Sequence, residues 1–166
     1  REGISTGFPL LDEAIGGGLQ EEGFDIVGAR QKEGKSTYAV NVGVNIARQE
    51  VPVCYADTEM GKQQHQVRLV AAVGGLDVRK GRRGDYGGGT GREKVRAAAR
   101  EIESLPLDYL CAVGMEFDDL LSQLRRWVKR RVGLGPNGKA KPCVIIYDWL
   151  KLASAGGISG HLQENQ

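Results

Sequence analysis

Three groups of residues in this chain have the types and settings needed for phosphate chemistry. The first lies in "GARQKEGKSTYAV" at 28–40, where Gly34-Lys35-Ser36 closes a G-x-x-x-x-G-K-[ST] pattern. In that pattern, backbone N–H groups at a helix start face phosphate oxygens, the lysine reaches the β- and γ-phosphates, and the hydroxyl ligates Mg²⁺. Counting back from Gly34 puts Ala29 where the pattern has its first glycine, and Gly28 sits one place too early. Gly34 is expected to need a φ that other residues avoid, whereas alanine fits at 29 if its backbone angles stay negative. The cradle is therefore expected to comprise Ala29, Arg30, Gln31, Lys32, Glu33, Gly34, Lys35, Ser36 and Thr37. The second group is Asp148, which ends the apolar run "CVIIYD" and is placed to hold Mg²⁺ together with Ser36. The third is Glu59 in "CYADTEM", placed to orient an attacking water.

Taken singly, each has a plainer reading. The tripeptide can be an ordinary strand–turn–helix with an exposed lysine, Asp148 a solvated strand-end turn, and Glu59 an acid at a helix N-terminus. Their shared register argues otherwise. Ligands of open α/β sheets bind outside the carboxyl ends of the strands, where all three groups would converge.

The elements that must position them follow from apolar patterning. "FDIVGA" (24–29) reads as a buried strand feeding the loop, and the helix from Ser36 to about Arg48 repeats Tyr38, Val40, Val44 and Ala47 at helical spacing. "VPVCYAD" (51–57) reads as a second buried strand, and "GKQQHQVRLVAAVGGL" as a helix ended by Gly74-Gly75. The segment 77–91 has no apolar periodicity and reads as an exposed loop. Helices are expected over 92–105 and 116–132, the latter with acids first and bases last, to suit its dipole. Strands are expected at "LDYLCAV" and "CVIIYD". Continuously apolar strands alternating with helices predict an α/β fold, a mostly parallel sheet covered on both faces.

The 166 residues suit one domain. A formal charge of +2, with 40% hydrophobic and 27% charged residues, gives an ordinary globular composition and no bulk electrostatic signature of a nucleic-acid binder. No apolar run reaches membrane-spanning length, so no membrane association is expected. Cys54, Cys111 and Cys143 lie in apolar runs outside C-x-x-C spacing and read as buried, reduced core thiols of a cytoplasmic protein. His65 and His161 do not sit at zinc-ligand spacing with them. The 25 glycines cluster at turns. The abrupt start at Arg1-Glu2, the stop within "HLQENQ" and only about four strands suggest a piece of a larger domain.

Several stretches resemble the C-terminal ATPase domain of DnaB-type replicative helicases, in the RecA-like branch of P-loop proteins. "ISTGFPLLDEAIGGGL" (4–19) is similar to the T-G-x-x-x-L-D-x-x-x-G-G-L segment shared with RecA, RadA and KaiC relatives. "GARQKEGKST" resembles the group's A-R-P-x-x-G-K-[ST] loop, which makes Ala29 a subfamily mark. "DTEMGKQQHQVRL" resembles L-E-M-x-x-x-Q-x-x-x-R-L, and "IIYDWLKL" resembles the I-x-D-Y-L-Q-L segment that carries the Walker B aspartate. The resemblance implies Lys35, Glu59 as base and Asp148 as the catalytic set, and puts Gln64 and Arg68 on the following helix. It implies a RecA-like core at 24–152, an opening segment at 1–20, and a DNA-binding loop with the start of a further helix at 153–166. It further implies ATP and Mg²⁺ as cofactors, single-stranded DNA as partner, a homo-oligomeric, hexameric ring, and a cytoplasmic setting (a host's cytoplasm if encoded by a phage or plasmid).

Gln31 departs from the family's proline, and Glu33 adds an anion near the phosphates. The family's sensor segment and arginine finger would fall beyond Gln166, so these residues alone are expected to bind nucleotide better than they hydrolyse it. "KLASAGGISGHLQ" (151–163) holds the place of a channel loop, where Lys151, Gly156, Gly157 and Gly160 can contact a DNA backbone; an unliganded loop is the alternative. Two basic clusters compete for that role: "RKGRR" (79–83), and Arg125, Arg126, Lys129, Arg130 and Arg131 at a helix end. Trp127 among the latter is a base-stacking candidate or a core or interface residue. Ser159 lacks the spacing of a hydrolase nucleophile. A RecA-, RadA- or KaiC-like ATPase, or an ATP-binding loader or scaffold, remain alternative readings.

Overall fold

The centre of the fold is "VCYAD", five consecutive residues that are all buried. The computed structural model describes residues 3–30 and 32–149. Its elements are α1 (Pro9–Ala14), α2 (Lys35–Ala47), β1 (Val53–Asp57), α3 (Lys62–Gly74), α4 (Val78–Arg82), α5 (Gly88–Ser104), β2 (Leu107–Cys111), α6 (Phe117–Trp127) and β3 (Val144–Asp148), with a π-helical turn at Val128–Val132 prolonging α6. The strands form a parallel sheet in the order β2-β1-β3, with Tyr55 opposite Tyr109 and Ile146, and Asp57 opposite Cys111 and Asp148. Parallel neighbours need crossovers. Helices α3 to α5 supply one and α6 the other.

Side chains alternate across a strand, and the packing follows that period. On one face Val53 packs with Val42, Ile46 and Ala47 of α2, and Tyr55 with Val40 and Val44 of α2 and Leu69 of α3. Ala56 meets Ala112 and Leu120 of the α6 side. Full burial of a side chain such as Ile46, at 0% exposure, contributes about 1.5–3 kcal/mol. Several such contacts fix α2 on the sheet, and with it the position of Lys35 at the helix start.

The opening segment is also tied to α2. The Asp12 carboxylate accepts hydrogen bonds from the Ser5 hydroxyl (2.6 Å), the Thr6 hydroxyl (2.6 Å) and the Thr6 N–H (2.9 Å). Asn45 of α2 and Gln49, just past its end, donate side-chain N–H groups to the Thr6 and Ser5 carbonyls. Gly7 lies between them at φ 80°, where a Cβ would run into the Asn45 side chain. The threonine, glycine and aspartate of the T-G-x-x-x-L-D pattern thus each have a structural task.

Four expectations need correction. The run 24–29 pairs with none of the described strands, and Phe24, Ile26 and Val27 are 80%, 71% and 49% exposed. An apolar run carries a tendency to be buried, but a strand exists only with a ladder partner. The described sheet therefore has three strands where about four were expected. The segment 77–91 is partly helical: the Asp77 carboxylate accepts the Arg79 N–H and caps α4, and α5 begins as early as Gly88. The cysteines also divide. Cys54 is buried, and burial pushes its thiol up to about 12, whereas Cys143 is half-buried and Cys111, at the end of edge strand β2, is exposed.

Candidate nucleotide-binding site

Gly34 precedes α2 at φ 88° in the left-handed region, as the motif requires. Ala29 is not among the residues with positive φ, so alanine is accommodated without strain, while Lys32 takes φ 67°. The Glu33 N–H donates to the Arg30 carbonyl and closes the turn. Among the described residues no side chain caps the start of α2, which leaves its first N–H groups for an anion.

Lys35, the first residue of α2, sends Nζ to within 3.2 Å of Asp148 Oδ1 at the end of β3. Its side chain retains 29% exposure, against 5% for Asp148. Nζ also stands 5.2 Å from the centre of the Trp149 ring. Burial works to raise the Asp148 carboxyl, but hydrogen bonds from Ser36, Tyr55 and Lys35, with the Lys35 charge, outweigh it and hold the group below the usual carboxylate range. The Tyr55 hydroxyl donates to Asp148 Oδ2 at 2.8 Å. A hydroxyl and an ionised carboxylate side by side form the hard oxygen donor set that Mg²⁺ prefers. The residues present therefore fit a magnesium-bound phosphate at this helix start.

Glu59 stands exposed on the turn after β1. That turn is joined to the Asp148 strand end, since the Thr58 N–H donates to the Asp148 carbonyl at 2.9 Å. Lys35, Ser36, Asp148 and the Glu59 turn are thus assembled at the carboxyl ends of β1 and β3. Arg30, Lys32, Glu33 and Thr37 line the exposed loop and first helical turn. Gln31, Lys151, Gly156, Gly157 and Gly160 lie outside the described residues. Trp127 has a structural attachment: its Nε1–H donates to Asp108 Oδ2 at 2.8 Å, and Arg131 pairs with the same carboxylate at 3.1 Å.

Sequence reasoning gave no part in this site to Tyr55, Asp57, His65 and Tyr109, which line its inner side. Asp57 Oδ1 accepts the N–H groups of Glu59 (2.9 Å) and Met60 (2.7 Å). The Tyr109 hydroxyl donates to the Met60 carbonyl at 2.7 Å. His65 is 2% exposed between the rings of Tyr55 and Tyr109. One signal was available: His65 precedes Leu69 by four residues and so shares its buried helix face.

Residues 3–165 match the family described as DnaB-like helicase C terminal domain. The chain belongs to that family. Among curated relatives it is 31% identical over 163 residues to the replicative DNA helicase DnaB of Synechocystis, covering 98% of this chain and 18% of that one. It is 30% identical to the DnaB of Pasteurella multocida, covering 95% and 32%. The DnaB-like chain thus spans less than a third of the length of these relatives. Two solved structures share its fold. One is described as an ATPase domain, at TM-score 0.77 and 24% identity over 93% of this chain and 53% of that one. The other is a DnaB-like replicative helicase described with primase, at TM-score 0.72 and 23% identity over 92% and 37%. The fold is therefore that of the RecA-like ATPase domains of DnaB-like helicases. Among the described residues no helix is long and apolar enough to cross a membrane.

Proposed function

We propose that this domain is the ATP-hydrolysing motor of a ring-forming replicative DNA helicase, binding ATP with Mg²⁺ and moving along single-stranded DNA in the cytoplasm. The observation that carries the reading is the Lys35 Nζ–Asp148 Oδ1 pair, 3.2 Å long, at the uncapped start of α2. Lys35 and the N–H groups of the loop bind the β- and γ-phosphates. Ser36 and Asp148 would hold Mg²⁺, which when bound neutralises charge developing on the transferred phosphoryl group. Glu59 orients water for in-line attack and takes up its proton. The segment 1–20 leads into the core at 24–152, and the segment 153–166, with Lys151 just before it, contributes the DNA contact at a ring channel. The ring supplies a neighbour's arginine to the site, so turnover belongs to the hexameric assembly.

The test is ATP turnover by the full assembled chain with single-stranded DNA present and absent. Glu59→Gln keeps the shape of the side chain but removes the base, so it should keep nucleotide affinity and lose hydrolysis. Near-parental turnover by this variant at saturating ATP would assign the base to another carboxylate.

A further inference from the structure

The turn that carries Glu59 is held by groups the chemistry does not use. Asp57 Oδ1 takes both N–H groups of that turn, from Glu59 and Met60, at 2.9 and 2.7 Å. Its other oxygen, Oδ2, faces His65 Nδ1 at 4.0 Å. That separation exceeds a hydrogen bond. Both atoms are buried, in residues with 0% and 2% exposure, and neither has a hydrogen-bond partner among the described residues. Buried polar groups are nearly always paired, so two orphans facing each other mark a latent contact. Burial, aided by the positive charge of Arg68, pushes the His65 imidazolium down to about 4, which leaves a neutral ring with one N–H to donate at neutral pH.

The ring itself is clamped. It lies 4.5 Å from the ring of Tyr55 and 4.3 Å from that of Tyr109, the latter in stacked geometry. Tyr55 ends on Asp148 Oδ2 and Tyr109 on the Met60 carbonyl. A single stack, buried at Tyr55 and His65 and half-buried at Tyr109, therefore touches Asp148 at one end and the Glu59 turn at the other. We propose that Asp57 is a positioning residue for Glu59 and that His65, clamped by Tyr55 and Tyr109, backs Asp57 with Nδ1 facing its free oxygen. This rests on the reading of Glu59 as the base. It adds that the aim of Glu59 is set from inside the fold, by residues that never touch nucleotide.

Misplacing a reacting group by about 1 Å can cost on the order of 10²-fold in rate. Asp57→Ala frees both N–H groups of the turn, so kcat of the full assembled chain should fall by about 10²-fold while KM for ATP changes by less than about twofold. Asp57→Asn keeps an acceptor oxygen for the turn but sets its amide nitrogen against His65 Nδ1, so it should recover the rate only to about the level of His65→Phe. His65→Phe keeps the stacked ring but removes its N–H, and should lower kcat by roughly tenfold, the scale seen for groups that orient a functional side chain from behind. Hydrogen exchange gives a readout apart from activity. The amides of Glu59 and Met60 should exchange faster in Asp57→Ala than in the parent, and at the parental rate in Glu59→Gln. If Asp57→Ala folds poorly, Asp57→Asn and His65→Phe carry the comparison: parental kcat in His65→Phe, or no recovery in Asp57→Asn relative to the Glu59→Gln background rate, overturns the proposal. Full turnover in Asp57→Ala with an inactive Glu59→Gln overturns the positioning role and leaves Glu59 as base. An active Glu59→Gln overturns the base reading itself, and this inference with it.

Discussion

Acidification should destabilise this protein through one histidine before it reaches most carboxylates. His65 has a folded-state pKa depressed from 6.5 to about 4, first by burial and then by Arg68, with Asp148 opposing. The unfolded chain thus binds a proton between about pH 6.5 and 4 that the folded chain refuses, so stability falls as pH drops through that window. Below about 4 both states are protonated and this contribution levels off. At 1.36 kcal/mol per pH unit, the loss by pH 4 amounts to roughly 3 kcal/mol, a large share of the stability of a small domain. Asp57, whose carboxyl is raised mainly by burial against the pull of the Met60 and Glu59 N–H groups, acts in the opposite direction as it takes up its proton. Asp12 and Asp148, both held low, lose their contributions only at more acid pH. The measurement is urea unfolding between pH 7.5 and 4 for the parent and for His65→Phe, which keeps a ring between Tyr55 and Tyr109 but cannot titrate. The parent should lose up to about 3 kcal/mol more than the variant across the window. Parallel curves would show that His65 is not the buried neutral group described here.

Two further outcomes follow from the same structure. Gly7→Ala should destabilise the protein by about 1–3 kcal/mol in urea unfolding, because it demands a positive φ of alanine and pushes a methyl into Asn45. Asp148→Asn should raise the Mg²⁺ concentration needed for half-maximal turnover by about tenfold or more, since a charged oxygen contact is worth about 1.5–3 kcal/mol; an unchanged metal titration would remove Asp148 from the ion's donors.

The parts of the site encoded locally were legible in the sequence. Gly34, Lys35 and Ser36 are neighbours whose spacing carries its own meaning, and Asp148 is marked by the apolar strand it ends. The parts built from long-range contacts were not. Tyr109 meets Met60 across 49 residues and Tyr55 meets Asp148 across 93, and no pattern within either stretch names its partner. His65 was weighed only as a metal ligand, although its helical spacing from Leu69 already placed it on a buried face. The run 24–29 failed for the related reason that hydrophobicity does not say which strand edge will receive it. Glycine-rich 77–91 misled because cap chemistry at Asp77 outweighed weak helix propensity in a stretch without apolar period.

The central claim is that Lys35, at the head of α2, grips the phosphates of a nucleotide, and Mg·ATP affinity measured for the parent and for Lys35→Ala tests it most directly. The side chain is partly exposed and packs in none of the core clusters, so the variant should still fold, though it should melt lower than the parent because the buried Asp148 carboxylate loses its cation. Losing a charge-assisted phosphate contact worth about 1.5–3 kcal/mol should weaken binding by about 10- to 100-fold, with turnover lost. A folded Lys35→Ala protein that binds Mg·ATP as tightly as the parent would contradict the account.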